Sequence, residues 1–403
     1  MTSSRSPGPA GRTGRTAGPC AFDALTVDDL RRQGSLKWTL FPDALGAFIA
    51  EMDFGTAPVV AQALHRAVDQ GLVGYLPPAL AADMARAYAD WSTVHHNRTV
   101  LPERVRPLSD VLAGLEAAVT HFSRPGSPVI LPTPAYMPFL TLPAALGREL
   151  IQVPMALDDG RYTYDLDALD AAFRAGGHLL VLCNPHNPIG RVLEPTELAA
   201  VAEVVERHGG RVFSDEIHAP LVMPGHRHTP YAALSPATAA HTVTATSASK
   251  AWNLPGLKCA QLVLSNDADA EHWERVGQLA EHGASTLGVV ANIAAYTAGD
   301  PWLADVVEHV DRNRRHLADA LRTRLPGVGY VPPEGTYLAW LDCRGLALGE
   351  RPADFFLEHA GVALTDGSAC GRAGEGFVRL TLATPRPVLD EIVDRMARAV
   401  DAR

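Results

Sequence analysis

The stretch TVTATSASKAWNLPGLKCA, residues 242–260, decides the fold. Its first five residues, Thr242 to Thr246, are β-branched or small and predict a strand. Ser247-Ala-Ser-Lys250 follows, and a second apolar run starts near Cys259. Of 35 Lys and Arg residues only Lys37, Lys250 and Lys258 are lysines, and two of the three stand in this stretch. Arginine stays protonated, whereas an amine can lose its proton and attack a carbonyl. A lysine kept at a strand end in an Arg-filled chain is either a remnant of compositional bias or a place where the amine itself is needed.

Working outward, the same pattern recurs. Strands are expected at 128–131, 150–153, 178–183, 211–214, 242–246 and 259–264. Helices are expected at 111–122, 166–175, 195–208 and 269–281. Several strands are unbroken apolar runs, as when both faces of a sheet are covered. Strand–helix alternation of this kind predicts an α/β layered domain with a mostly parallel sheet. After residue 300, long helices (302–325, 387–402) mix with short strands (337–341, 376–382), which suits a smaller α+β lobe. The division expected is a disordered Gly/Pro/Ser/Arg tail at 1–20, an N-terminal segment at 21–55 packing on the small lobe, a large domain at 56–300 and a small domain at 301–403.

Open parallel sheets bind ligands beyond the C-terminal ends of their strands. Three polar clusters fall at such ends: Asn184-Pro-His-Asn-Pro-Ile-Gly190, Asp215-Glu-Ile-His218 and Ser247-Ala-Ser-Lys250. Distant in sequence, they converge on one sheet edge. Together they offer an amine, a carboxylate, an amide, an imidazole and small hydroxyls.

Composition narrows what this edge serves. The chain has 403 residues, 47% hydrophobic, and a formal net charge of −10, which argues against a nucleic-acid or anionic-membrane binder. No apolar run reaches a membrane-spanning length, and the first residues carry no secretory h-region. Five cysteines without CxxC spacing suit a reducing compartment, and a cytoplasmic protein is expected. No metal is expected: His218, His226 and His228 are present, but neither HExxH nor a tight His/Cys cluster completes a shell. GxSxG is absent, so a serine nucleophile rests only on Ser247 or Ser249 beside Lys250. Pyridoxal phosphate is the third option. It needs a lysine for a Schiff base, an acid for the pyridine nitrogen, donors for the phosphate and a partner for the ring hydroxyl. The clusters supply these in order.

At these residues the chain resembles fold-type I pyridoxal-phosphate enzymes of the aminotransferase class I/II superfamily. It is most similar to the cystathionine β-lyases, or C–S lyases, of the MalY/PatB type. The resemblance runs from about Gly34 to Arg398. GSLKW (34–38), AEMDF (50–54), GY (74–75), PTPAYMPF (132–139), CNPHNPIGR (183–191), SDEIHAPLV (214–222), SASKAWNLPGLKCA (247–260) and VRLTLATPR (378–386) carry it.

The resemblance implies a fold-type I transferase fold and a role for each matched position. Lys250 would bind the cofactor and shuttle the Cα proton. Asp215 would pair with the ring nitrogen, Asn187 with the ring hydroxyl, with His218 nearby, and Tyr136 would stack on the ring. The phosphate would sit on the N–H groups of Val111 and Leu112, at a helix start that suits an anion in any family. Ser247, Ser249 and Lys258 would add phosphate contacts, and Tyr75 would reach in from a second subunit of a homodimer. Arg379 would clamp the α-carboxylate of an amino-acid substrate as a bidentate fork. Three positions depart from the family: Glu51 where Asp is common, Thr381 where Asn is common, and Asp110, an acid at the phosphate site that would turn away or cap the helix.

Outside the motif set, His226 and His228 are expected on an exposed loop, Trp38 and Trp252 at the site mouth or in the core, and DGSACG (366–371) as a small-lobe turn. The implied reaction is β-elimination from cystathionine or another S-substituted L-cysteine, giving a thiol, pyruvate and ammonia. Transamination, or a biosynthetic reaction on a larger cysteine conjugate, uses the same set. A non-catalytic cofactor-binding regulator fits less well, since about twenty residues before the fold are too few for a helix-turn-helix.

Overall fold

A computed structural model describes residues 19–158 and 160–403. The tail expected over 1–20 lies outside the described residues except at its end, where Pro19–Ala24 forms a 3-10 helix. Seven strands build the central sheet: β1 (Val105–Leu108), β2 (Val129–Thr133), β3 (Leu150–Pro154), β4 (Leu179–Cys183), β5 (Arg211–Asp215), β6 (Thr242–Thr246) and β7 (Ala260–Leu264). Their order is β1-β7-β6-β5-β4-β2-β3. β7 pairs antiparallel with both of its neighbours, and every other pairing is parallel.

The covering layers follow strand parity. Val181, Phe213 and Val243 point into one apolar layer with Leu115 and Trp273, whereas Leu180, Leu182 and Val212 point into the other with Phe173, Leu198 and Val201. Helix α1 (Val111–His121) covers the first face. It approaches closely because Gly114 has no Cβ; one placed there would stand 2.9 Å from the Ala245 Cβ. This parity puts Cys183 and Asp215 on the α1 side and Ser214 and Glu216 on the other.

Two features differ from expectation. Strand β1 was not expected, because it is four residues long and contains Pro107. Proline is tolerated there since β1 is an edge, bonded only to β7. The helix expected over 269–281 is two helices, Asp267–Val276 and Gln278–Glu281, meeting at Gly277. The Trp273 indole fills the space a Cβ at Gly277 would need, and its Nε1 donates to Glu281 at 2.8 Å.

The second sheet holds β8 (Gly329–Tyr330), β9 (Leu338–Asp342), β10 (Thr365–Asp366) and β11 (Phe377–Thr381), in the order β8-β9-β11-β10. Helices α2 (Asp300–Arg324) and α3 (Arg386–Asp401) pack together beside it. The N-terminal segment joins this lobe: Leu45–Gly46 pairs with Val362–Ala363, and Thr381 N–H donates to Ala47 O at 2.9 Å. Among the described residues no helix is long and apolar enough to cross a membrane.

Candidate active site

The C-terminal ends of β1, β2, β4, β5 and β6 share one edge of the central sheet, and the polar clusters meet there. From β6 the chain turns through Ser247 into a one-turn helix, Ala248–Ala251, that carries Lys250. The Lys250 Nζ donates to Ala50 O at 3.0 Å. Burial and the Arg379 guanidinium lower its pKa to about 8, outweighing Asp215 and Glu51.

Asp215 ends β5, in register with Cys183 on β4 and Ala245 on β6. Its Oδ1 accepts the Ile217 N–H at 3.0 Å, and the Cys183 Sγ lies 3.7 Å from Oδ2. Burial raises its pKa to about 7 despite those donors and Lys250. His218 is buried, its Nδ1 has no hydrogen-bond partner among the described residues, and burial with Lys250 and Arg379 nearby keeps it neutral.

Arg379 on β11 is 2% exposed and forms no ion pair with any described carboxylate. Its Nη1 donates to Asn187 Oδ1 at 2.9 Å, which ties the small lobe to the loop after β4. Tyr136 precedes the helix Met137–Ala145, packs edge-on against Phe139, and is raised in pKa by burial and by Asp215.

At the other end of the edge, Asp110 caps α1: its Oδ1 accepts Ala113 N–H at 3.0 Å. Its Oδ2 takes Lys258 Nζ, also at 3.0 Å. The expected acid–anion conflict is thus resolved by a cap and a counter-ion. The N–H groups of Val111 and Leu112 make no protein hydrogen bond among the described residues, as at any helix start.

Ser247 sits at the turn out of β6. Its hydroxyl donates to Cys259 O at 2.6 Å and accepts Ser249 N–H at 2.9 Å. These two bonds tie the start of the Lys250 helix to the residue before β7. Tyr75 is 97% exposed and makes no contribution to its own chain's site. His228, expected on a loop surface, is buried, with Nε2 3.4 Å from Glu216 Oε2, while His226 is exposed. Trp38 and Trp252 are core residues: Trp38 Nε1 donates to Asp53 and Trp252 Nε1 to Gly299 O. DGSACG forms a tight 3-10 turn, as expected.

Sequence reasoning missed several residues here. Tyr337 OH donates to the same Ala50 carbonyl as Lys250, at 2.9 Å. Asn253 clamps Met52 from both sides. Lys37 and Asp53, both fully buried, form a 2.7 Å ion pair, which explains why the KW and MDF motifs occur together. Lys37, Asp53 and Asn253 lie inside quoted motifs, so the motifs were the signal available for them; Tyr337 lies in none and carried no such signal.

Profile comparison decides the family. The sequence profile "Aminotransferase class I and II" matches residues 49–396. The chain belongs to the aminotransferase class I and II family. Within it, the cystathionine β-lyase of Corynebacterium glutamicum is 36% identical, over 92% of this chain and 98% of that one. The cystathionine β-lyase PatB of Bacillus subtilis is 32% identical, over 91% and 96%. Among solved structures, the pyridoxal-phosphate-bound C–S lyase of Staphylococcus hominis superposes with a TM-score of 0.87 at 28% identity, covering 94% and 98%.

The residues fit that cofactor. A recessed amine, a buried acid near neutrality, an unpartnered imidazole nitrogen and a helix start beside Lys258 match an aldehyde, a pyridine nitrogen and a phosphate.

Proposed function

We propose that this chain is a pyridoxal-phosphate-dependent carbon–sulfur β-lyase. It cleaves S-substituted L-cysteines such as cystathionine to a thiol, pyruvate and ammonia. The observation that carries this reading is the trio of Lys250 and Asp215 at the central-sheet edge and Arg379 on β11, without mutual ion pairs, in a chain whose relatives above 30% identity include named cystathionine β-lyases.

In this reading Arg379 binds the substrate α-carboxylate, and Asn187 holds the guanidinium in place. Bound against Asp215, pyridoxal phosphate supplies the electron sink that makes the substrate Cα–H acidic. Lys250, with its pKa lowered to about 8, takes the Cα proton at Nζ and can pass it on to the leaving sulfur. The three-carbon product, once released, hydrolyses to pyruvate and ammonia. Val111 N–H, Leu112 N–H, Ser247, Ser249 and Lys258 would hold the phosphate, Asn187 the ring hydroxyl, Tyr136 would cover the ring, and His218 would back it.

The working unit is a cytoplasmic homodimer. In support, exposed Tyr75 stands at a cavity of about 1,090 Å³ lined also by Leu76, Arg106, Ser285 and Thr286, and Ser285 N–H bonds Lys258 O at the phosphate end. The four described cysteines are free. Residues 56–300 form the cofactor lobe, and 21–55 with 301–403 form the lobe that brings Arg379.

The test is purified protein loaded with pyridoxal phosphate and given L-cystathionine, with pyruvate and thiol assayed together. Equal amounts of both without an added keto acid are expected. Amino-group transfer to a keto acid, with no pyruvate, would replace elimination by transamination.

A further inference from the structure

Residues 49–53 are held more firmly than their loop position requires. The Ala50 carbonyl accepts both Lys250 Nζ at 3.0 Å and Tyr337 OH at 2.9 Å. Met52 bonds Asn253 through its N–H and its carbonyl, each at 3.0 Å. Asp53 N–H donates to Ala383 O at 3.0 Å, and its carboxylate holds Lys37 and Trp38. Ile49 sits at φ +58° and Asn253 also at +58°. A β-branched residue in that region is strained, and such strain persists only where the surroundings enforce it.

The one polar side chain inside this clamp with no hydrogen bond or ion pair among the described residues is that of Glu51. It is partly buried, and burial raises its pKa, with Lys37 and Lys250 pulling the other way and Asp53 adding to the rise. Lys37 is already committed to Asp53. The charged groups facing the Lys250 amine are Arg379 and Lys258, both positive, and Asp215 and Glu51, both negative; His218 and Tyr337 also border it. On the proposed function, from which this inference follows, Asp215 answers to the cofactor's ring nitrogen. That leaves Glu51 as the carboxylate for the lysine.

We propose that Glu51 is a positioning residue for Lys250, and that with the Ala50 carbonyl it forms the station where the lysine holds the proton taken from Cα. In that step the Cα–H bond breaks, its electron pair stays with the bound substrate, and the proton passes to Nζ. One positive charge appears at a recessed amine already facing Arg379. The Ala50 oxygen accepts one N–H of the ammonium, and the Glu51 carboxylate offsets the charge. Clamping residues 49–53 fixes the carboxylate on that side without requiring a direct ion pair that would keep the amine permanently protonated.

The test uses the full chain as wild type, Glu51→Gln and Glu51→Asp. In cofactor-free protein, competitive acetylation by acetic anhydride across pH, read by mass spectrometry, reports each lysine, and there are only three. Exposed Lys258 serves as the internal reference. The Lys250 midpoint is expected to fall by about one pH unit in Glu51→Gln and to be restored in Glu51→Asp, with Lys258 unmoved. In loaded enzyme the acid limb of the kcat profile moves the same way, kcat falls about threefold to tenfold, and KM changes little. An unmoved Lys250 midpoint overturns the proposal. So does a KM effect confined to substrates whose leaving half carries an ammonium group, which would make Glu51 a reader of substrate. The acetylation result needs no turnover, so it stands even where wild type fails to release pyruvate and the lyase reading itself falls.

Discussion

Asp215→Asn in the cofactor-free protein separates the cost of the site from its use. Burial raises the Asp215 pKa from 3.8 to about 7 in the fold. The unfolded chain therefore loses this proton near pH 4 and the folded chain near pH 7. Between those values the folded state binds the extra proton, so stability falls as pH rises through the window and stays reduced above it. A gap of roughly three pH units at about 1.4 kcal/mol each gives about 4 kcal/mol as an upper figure. Water entering the recess reduces it, so about 2–4 kcal/mol is expected.

Asparagine keeps the shape and can still accept the Ile217 N–H, but it cannot ionise. Urea unfolding of cofactor-free wild type and Asp215→Asn at pH 5, 6, 7 and 8 measures the difference. The variant should gain on wild type across the series and be the more stable protein at pH 8, although it binds pyridoxal phosphate more weakly. Parallel pH curves for the two proteins would refute the reasoning, since they would mean that the folded state does not hold the Asp215 carboxyl protonated.

Three further outcomes are expected. Lys250→Ala should abolish pyruvate release and the bound cofactor's visible band while leaving the urea midpoint unchanged or higher, because a poorly solvated amine is removed. Arg379→Lys keeps a charge but loses the fork, so kcat/KM for S-substituted cysteines should drop about 10- to 100-fold, measured by initial rates. Asp53→Asn leaves Lys37 buried without its 2.7 Å partner and should cost about 3–5 kcal/mol in unfolding experiments, with Lys37→Met in the same chain recovering part of the loss.

The central sheet was legible because its strands are buried on both faces: five-residue apolar runs such as Leu179–Cys183 leave little alternative. The catalytic edge was legible because strand ends place their polar residues together, whatever separates them in sequence. The rest depends on partners that sequence does not display. Val105–Leu108 reads as a loop until β7 is there to bond it. His228 reads as surface until Glu216 is found twelve residues away in sequence, held low in pKa, against its own burial, by His228 and by Arg98. The Ala50 carbonyl that holds Lys250 is backbone and carries no residue-type signal at all. The three lysines also differ in ways that sequence does not display: Lys37 pairs with Asp53 and Lys258 with Asp110, whereas Lys250 has no ion pair among the described residues.

That last contrast separates scaffold from site. The fold pairs the charges it uses for structure: Lys37 with Asp53, and Glu216 with His228 and Arg98. Among the described residues it leaves Lys250, Asp215 and Arg379 without an opposite charge within ion-pair distance, although Asp215 and Arg379 are nearly inaccessible. Such groups destabilise the protein, and on the proposed function a ligand carries the partner of each: an aldehyde for the amine, a protonated ring nitrogen for the acid, a carboxylate for the guanidinium. Because Lys250 and Asp215 come from the central sheet and Arg379 from β11, on the proposed function the amino-acid carboxylate is the group that completes the site across both sheets. Asn187 already holds that guanidinium from the large lobe at 2.9 Å. Substrate therefore enters a site whose orientation is fixed in advance, and its binding energy is free to act on the bond at Cα rather than on assembling the residues around it.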